Sequence, residues 1–110
     1  MSNKKLSPDA LTLIAGRFKL LSEPIRLQIL HALRQGPMSV NELTAAVRTS
    51  QPNVSKHLKM LQSAGVLLRE QEGNTAYYAI ADESIFNLCE TVCDSLEEKL
   101  KNDASIFASV

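Results

Sequence analysis

A mainly α-helical domain with one β-hairpin, about five helices in all, is the fold class this sequence predicts. Three observations carry that reading. Apolar residues recur at helical spacing along most of the chain, capping and breaking residues divide those stretches, and two β-prone runs flank a Gly-Asn pair.

Residues 8–21, PDALTLIAGRFKLL, place Leu11, Ile14, Ala15, Phe18 and Leu21 on one face of a first helix. Ser22 ahead of Glu23-Pro24 predicts a capped start for a second helix, since proline's missing N–H costs nothing in a first turn. Ile25, Leu27, Ile29, Leu30 and Leu33 carry that helix to Gln35-Gly36-Pro37, where glycine and proline stop it. Ser39 followed by Glu42 is a capping-box pattern and predicts a short third helix, Val40 to Val47. Arg48-Thr49-Ser50 reads as a tight polar turn. Ser50 then caps a fourth helix that has Val54, Leu58 and Leu61 on one face and ends at Ala64-Gly65. VLLRE and TAYYAI, separated by Gln71-Glu72-Gly73-Asn74, predict a hairpin whose glycine supplies the positive φ of a short loop. Asp82 is expected to cap a last helix of about five turns, reaching roughly Lys101.

With 110 residues the chain is one ordinary domain, read as 1–101, followed by a tail at 102–110 that lacks periodicity and is open to disorder. Its 45% hydrophobic and 22% charged residues are those of a globular chain and not of a disordered one. No apolar run approaches the roughly 18 residues of a membrane span, and the start MSNKKLSPDA lacks a signal peptide's apolar core, so a cytoplasmic protein without a membrane partner is expected. The two cysteines, Cys89 and Cys93, are then expected as free thiols.

The net charge of zero hides a segregation. Residues 1–69 hold ten Lys and Arg against three Asp and Glu, whereas residues 70–110 hold two against nine. No carboxylate lies between Glu42 and Glu70, yet Arg48, Lys56, Lys59 and Arg69 do. Such a window suits phosphate contacts.

Helix three, a three-residue turn, helix four and a hairpin make up a winged helix-turn-helix, whose second helix enters the DNA major groove. If Val54, Leu58 and Leu61 pack inward, Gln51, Asn53, Lys56 and Lys59 turn outward. Gln51 and Asn53 can each bond an adenine edge in bidentate fashion, while Ser50, Ser55, Lys56 and Lys59 hold phosphates. Arg69 and Asn74 are the wing residues placed with them, against double-stranded DNA. There is no nucleotide loop, no Cys/His zinc spacing and no paired acid and base near a nucleophile, so no enzyme is expected. The competing class is a protein-interaction module that kept the winged-helix shape and lost DNA binding; the basic window argues against it.

The segments LSEPIRLQILHAL and SVNELTAAVRTSQPNVSKHLKMLQSAGVLLREQEGNTAYYAI closely resemble the ArsR/SmtB family of bacterial repressors, over roughly residues 15–100. Ser50-Gln51, Val54-Ser55-Lys56-His57-Leu58, Leu61, Ala64-Gly65-Val66, and the wing's Arg69, Gly73 and Tyr78 are the most specific pieces. The resemblance implies a homodimer built through the first and last helices that blocks a promoter and leaves its operator when an effector binds. The family often has a histidine where His57 stands, and a structural bond or a phosphate contact are the two roles open to it. His31, inside the apolar second helix, has no partner at metal spacing and reads as a core or partly exposed histidine.

The resemblance also bears on the effector. The family's arsenic-type site uses cysteines after Glu-Leu in helix three, but Glu42-Leu43 is followed here by Thr44, Ala45, Ala46 and Val47. Its zinc-type site on the last helix matches Asp82, Ser84, Ser95 and Glu98, where both histidines have become serines. Without imidazole this is a poor zinc site. Cys89 and Cys93 remain, one helical turn apart. They are open to a soft metal or metalloid ion, to a thiol oxidant or persulfide, or to inert packing, which would leave a regulator that senses neither metal nor thiol chemistry. A direct disulfide needs Cβ atoms about 3.8 Å apart, whereas neighbouring helical turns hold them roughly 5–6 Å apart. At ~100° per residue, Ile85, Val92, Leu96 and Leu100 define an apolar stripe, expected at the dimer interface, with Cys89 within it and Cys93 at its edge.

Overall fold

A computed structural model describes residues 5–100, so the tail expected at 102–110 lies outside the described residues. Ser7 begins the first helix: its hydroxyl accepts from the Ala10 N–H at 3.1 Å, and α1 follows over Pro8–Leu20. The second cap differs from the expectation. Ser22 donates its hydroxyl to the Lys19 carbonyl at 2.7 Å and so closes α1, while the Glu23 carboxylate accepts from the Ile25 N–H at 3.1 Å and opens α2, Pro24–Ala32. A longer acceptor one residue nearer the helix displaces the serine. A 3-10 turn, Leu33–Gln35, then runs into Gly36.

Met38–Ser39 is a short strand, β1, that local sequence pattern does not announce. Helix α3, Val40–Val47, starts on the expected capping box: Ser39 Oγ accepts from the Glu42 N–H at 3.2 Å and Glu42 returns a carboxylate oxygen to the Ser39 N–H at 2.9 Å. Arg48 turns the chain in a left-handed conformation, φ 59°, unusual for a residue with a side chain. Ser50 then caps α4, Gln51–Ser63, by accepting from the Asn53 N–H at 3.2 Å. Strands β2, Leu67–Glu72, and β3, Thr75–Ile80, pair antiparallel with Glu72 opposite Thr75. The loop is therefore just Gly73-Asn74, and Gly73 takes φ 60° in the first position of a tight hairpin turn. Strand β3 also pairs with β1, which gives a three-stranded sheet of order β1-β3-β2. Asp82 accepts from the N–H and hydroxyl of Ser84 ahead of α5, Ser84–Lys99, whose cap position itself is Glu83.

The core lies where α2, α3 and α4 meet the root of the hairpin. Ile29, Leu30 and Leu33, Leu43, Val54, Leu58 and Leu61, and Val66 are its fully buried side chains, joined by Ile85 from α5. Each contributes roughly 1.5–3 kcal/mol relative to exposure. Most of the buried side chains among the described residues therefore belong to the helix-turn-helix and the helix that precedes it. Helix α1 buries no residue, and α5 buries only Ile85. The stripe expected on α5 is thus divided, because Ile85 belongs to the core while Val92, Leu96 and Leu100 stand in solvent. Leu11, Leu13, Ile14 and Phe18 of α1 are exposed as well. The radius of gyration, 15.9 Å, exceeds the about 13 Å of a compact chain of this size.

Candidate nucleic-acid interface

Helix α4 is amphipathic for a local reason: Val54, Leu58 and Leu61 fall on one side and are fully buried, which forces the rest of the helix outward. Gln51, Ser55, Lys56 and Lys59 are all exposed along that outer side. Ser50 is exposed too, with its oxygen engaged as the helix cap. Asn53 is half-buried, and its Nδ2 donates to Thr49 Oγ1 at 3.0 Å, so the turn residue holds it in place. Thr49 is a residue the sequence did not single out; the Thr-x-x-x-Asn spacing across the helix start was the available signal.

His57 faces the other way. It is 5% exposed, and its Nδ1 lies 3.0 Å from Nη1 of Arg26, itself 8% exposed. Of the two roles open to this histidine the structure carries the structural bond, and burial takes His57 out of the phosphate-facing set. Nδ1 must accept here, since arginine only donates. The imidazole is therefore neutral, and its pKa is lowered by burial first and then by the Arg26 and Lys56 charges, against a smaller opposing pull from Glu23. Arg26 also donates Nε to the Leu20 carbonyl at the end of α1 and reaches Met60 Sδ at 3.6 Å. One buried guanidinium thus ties α1, α2 and α4 together.

In the wing, alternation places Leu67, Arg69 and Gln71 on one face of β2 and Leu68, Glu70 and Glu72 on the other. Leu67 packs into the core, so Arg69 and Gln71 extend the inner face, and the carboxylates point away from it. Arg69 Nη2 donates to Gln71 Oε1 at 2.9 Å, and Gln71 Nε2 donates to the Gly73 carbonyl at 3.0 Å. Gln71 is a second residue missed by sequence reading, its signal being the two-residue spacing from Arg69. Asn74 is exposed at the turn.

On α5, Cys89 is half-buried and Cys93 exposed, both free thiols. Burial pushes the Cys89 thiol pKa up. Both cysteines line a cleft of ≈ 450 Å³ between α2 and α5, together with Leu27, Leu30, His31 and Phe86. They also border an apolar groove of ≈ 380 Å³ towards α1 that includes Phe18, Val92 and Leu96. Among the described residues the group of three metal-type donors within 4.8 Å of one another is Cys93, Asp94 and Glu97; Cys89 and His31 do not join it. Arg17 of α1 pairs with Asp82 at 3.1 Å and donates to the Ala64 carbonyl at the end of α4, also at 3.1 Å. The Ser84 hydrogen bonds, followed by Arg17, hold the Asp82 carboxyl below its usual range. No helix among the described residues is long and apolar enough to cross a membrane.

A family model described as bacterial regulatory protein, arsR family, matches residues 23–67, from the start of α2 to the start of β2. A transcriptional repressor SmtB homolog of Synechocystis is 31% identical over 100 residues, covering 86% of this chain and 76% of its own. The solution structure of a homodimeric winged helix-turn-helix DNA-binding domain, Mb0332 from Mycobacterium bovis, superposes with a TM-score of 0.71 at 33% identity, covering 86% of this chain and 91% of that one. The crystal structure of AntR, an antimony-specific transcriptional repressor, gives 0.78 at 28% identity, covering 92% and 93%.

Proposed function

The chain belongs to the ArsR/SmtB family of bacterial transcriptional regulators, DNA-binding proteins and not enzymes, and from that premise we propose that it is a dimeric repressor whose α4 reads an operator in the major groove. The observation that carries this reading is the outer face of α4. Gln51, Ser55, Lys56 and Lys59 are exposed there with no carboxylate between Glu42 and Glu70, on a helix whose other face is locked into the core. Gln51 reads a base edge; Lys56, Lys59, Ser50 and Ser55 hold phosphates; Arg69 and Asn74 reach the neighbouring backbone from the wing; Asn53 takes part through its free carbonyl side. A protein that acts on chromosomal DNA works in the cytoplasm.

The partner is a second copy of the chain, joined through α1 and α5. Exposed Leu11, Ile14 and Phe18 on one helix and Val92, Leu96 and Leu100 on the other form an apolar surface that a monomer leaves in water. The homodimeric relative supports that choice of partner. Release from the operator is assigned to an effector at Cys89 and Cys93, the pair of soft donors beside this surface. The test is a gel shift with the DNA upstream of the protein's own gene: a complex that resists random competitor DNA supports the repressor, and equal loss to random and specific competitor favours the interaction-module reading.

A further inference from the structure

Resting on the reading of this chain as a repressor that meets DNA through α4, we infer that Thr49 is a positioning residue: it fixes which end of the Asn53 amide faces the major groove, and so sets one base of each half-site to adenine or cytosine. An asparagine side chain has a donor end and an acceptor end of similar size. A free amide can turn either one outward, and it then discriminates poorly between bases. Asn53 is not free. Its Nδ2 donates to Thr49 Oγ1 at 3.0 Å and its backbone N–H donates to Ser50 Oγ at 3.2 Å, so two consecutive turn residues hold it at both ends.

The turn that supplies this hold is itself fixed. Thr49 is half-buried and β-branched, which leaves its hydroxyl few rotamers. Arg48 sets the direction of the turn at φ 59°, and buried Val47 and Val54 anchor it on either side.

With the nitrogen engaged, the oxygen is the end left to read. Asn53 Oδ1 takes no hydrogen bond from the described residues, and none of their buried side-chain oxygens or nitrogens lacks a partner, so Oδ1 is open to solvent. It belongs to the first turn of α4, the part of a recognition helix that meets base edges. In the major groove adenine and cytosine present an amino donor, whereas guanine and thymine present carbonyl acceptors. An outward carbonyl accepts from the first two and is repelled by the others. Every base pair holds one base of each kind, so this position should tolerate exchange of A·T for C·G and reject T·A and G·C. Bidentate recognition of adenine does not give that pattern.

The test is selection of bound duplexes from a randomised library by the full chain, followed by sequencing, for the parent, Asn53→Ala, Thr49→Val, Thr49→Ser and the double variant Thr49→Val with Asn53→Asp. In the parent one position per half-site should carry adenine or cytosine about tenfold over guanine or thymine, and Asn53→Ala should flatten that position alone. Thr49→Val should bring the two classes within about threefold there, while Thr49→Ser, which restores the hydroxyl, keeps the parent preference. The double variant should keep it too, because a carboxylate has no donor end to turn outward. Enrichment of guanine or thymine at the Asn53 position, rejection of cytosine as strong as that of guanine, an undiminished preference in Thr49→Val, or a loss in Thr49→Ser as large as in Thr49→Val overturns the inference. A selected operator in which no position responds to Asn53→Ala does so as well. A parent that selects no sequence at all instead removes the repressor reading.

Discussion

Arg26 and His57 meet inside the domain, Nη1 to Nδ1 at 3.0 Å, a buried cation donating to a neutral imidazole on α4. Protonating His57 would set two positive charges against each other with little water to screen them.

Stability should therefore fall on mild acidification. Unfolded, His57 titrates near its ordinary value of about 6.5; folded, its pKa is lower. Below 6.5 the unfolded chain binds more protons, so this contribution is complete above that pH and declines as pH falls towards the folded value. Urea midpoints of the parent and His57→Gln, measured between pH 7.5 and 5, should diverge at high pH and converge at low pH. A constant difference across the range would mean that the pair does not titrate as described.

Lys56→Ala should weaken binding to specific and random duplexes alike and reduce the salt slope by about 1, because a phosphate contact carries no base information. Gln51→Ala should instead lose roughly 1–3 kcal/mol of discrimination at one base position per half-site. Fluorescence anisotropy over a salt series with single-base operator variants measures both. Unchanged operator preference in Gln51→Ala would shift base reading to another residue.

Leu58→Ala, at the centre of the buried face of α4, should cost about 2–5 kcal/mol, since the removed side chain leaves a cavity between well-packed helices. Chemical denaturation gives the value directly. A cost near zero would mean that α4 is not anchored as the structure has it.

Much of this architecture is legible in sequence because its signals are local. The Ser39–Glu42 box, the Ser50 cap and the Gly73 turn each act within a few residues, so spacing alone locates them. What depends on distant partners is not legible. Strand β1 exists only because Tyr77 and Tyr78 pair with Ser39 and Met38. The burial of His57 depends on Arg26, a helix away. Ile85 shares the helical period of Val92 and Leu96, and only the position of α5 against the core separates it from them. In the candidate site, exposure on α4 follows from the apolar period, whereas the tethering of Asn53 by Thr49 and of Arg69 by Gln71 requires side-chain geometry.

Leu96→Glu should give monomers, because it puts a charge into the exposed apolar surface shared by α1 and α5 without replacing a buried core residue. Sedimentation velocity reads the outcome, and a dimer that persists in the variant would place the interface elsewhere.

A dimer that reads DNA sequence through α4 is distinguished from every alternative by the affinity of the parent chain for its upstream DNA and for a scrambled duplex across a salt series. A winged-helix dimer spaces its reading helices about one DNA turn apart, roughly 34–36 Å, so that both half-sites are engaged together. Affinity for both duplexes should fall with salt, two chains should bind each upstream duplex, and the upstream duplex should stay at least about a thousandfold tighter at physiological salt. Equal affinity for the two duplexes at every salt concentration would contradict it.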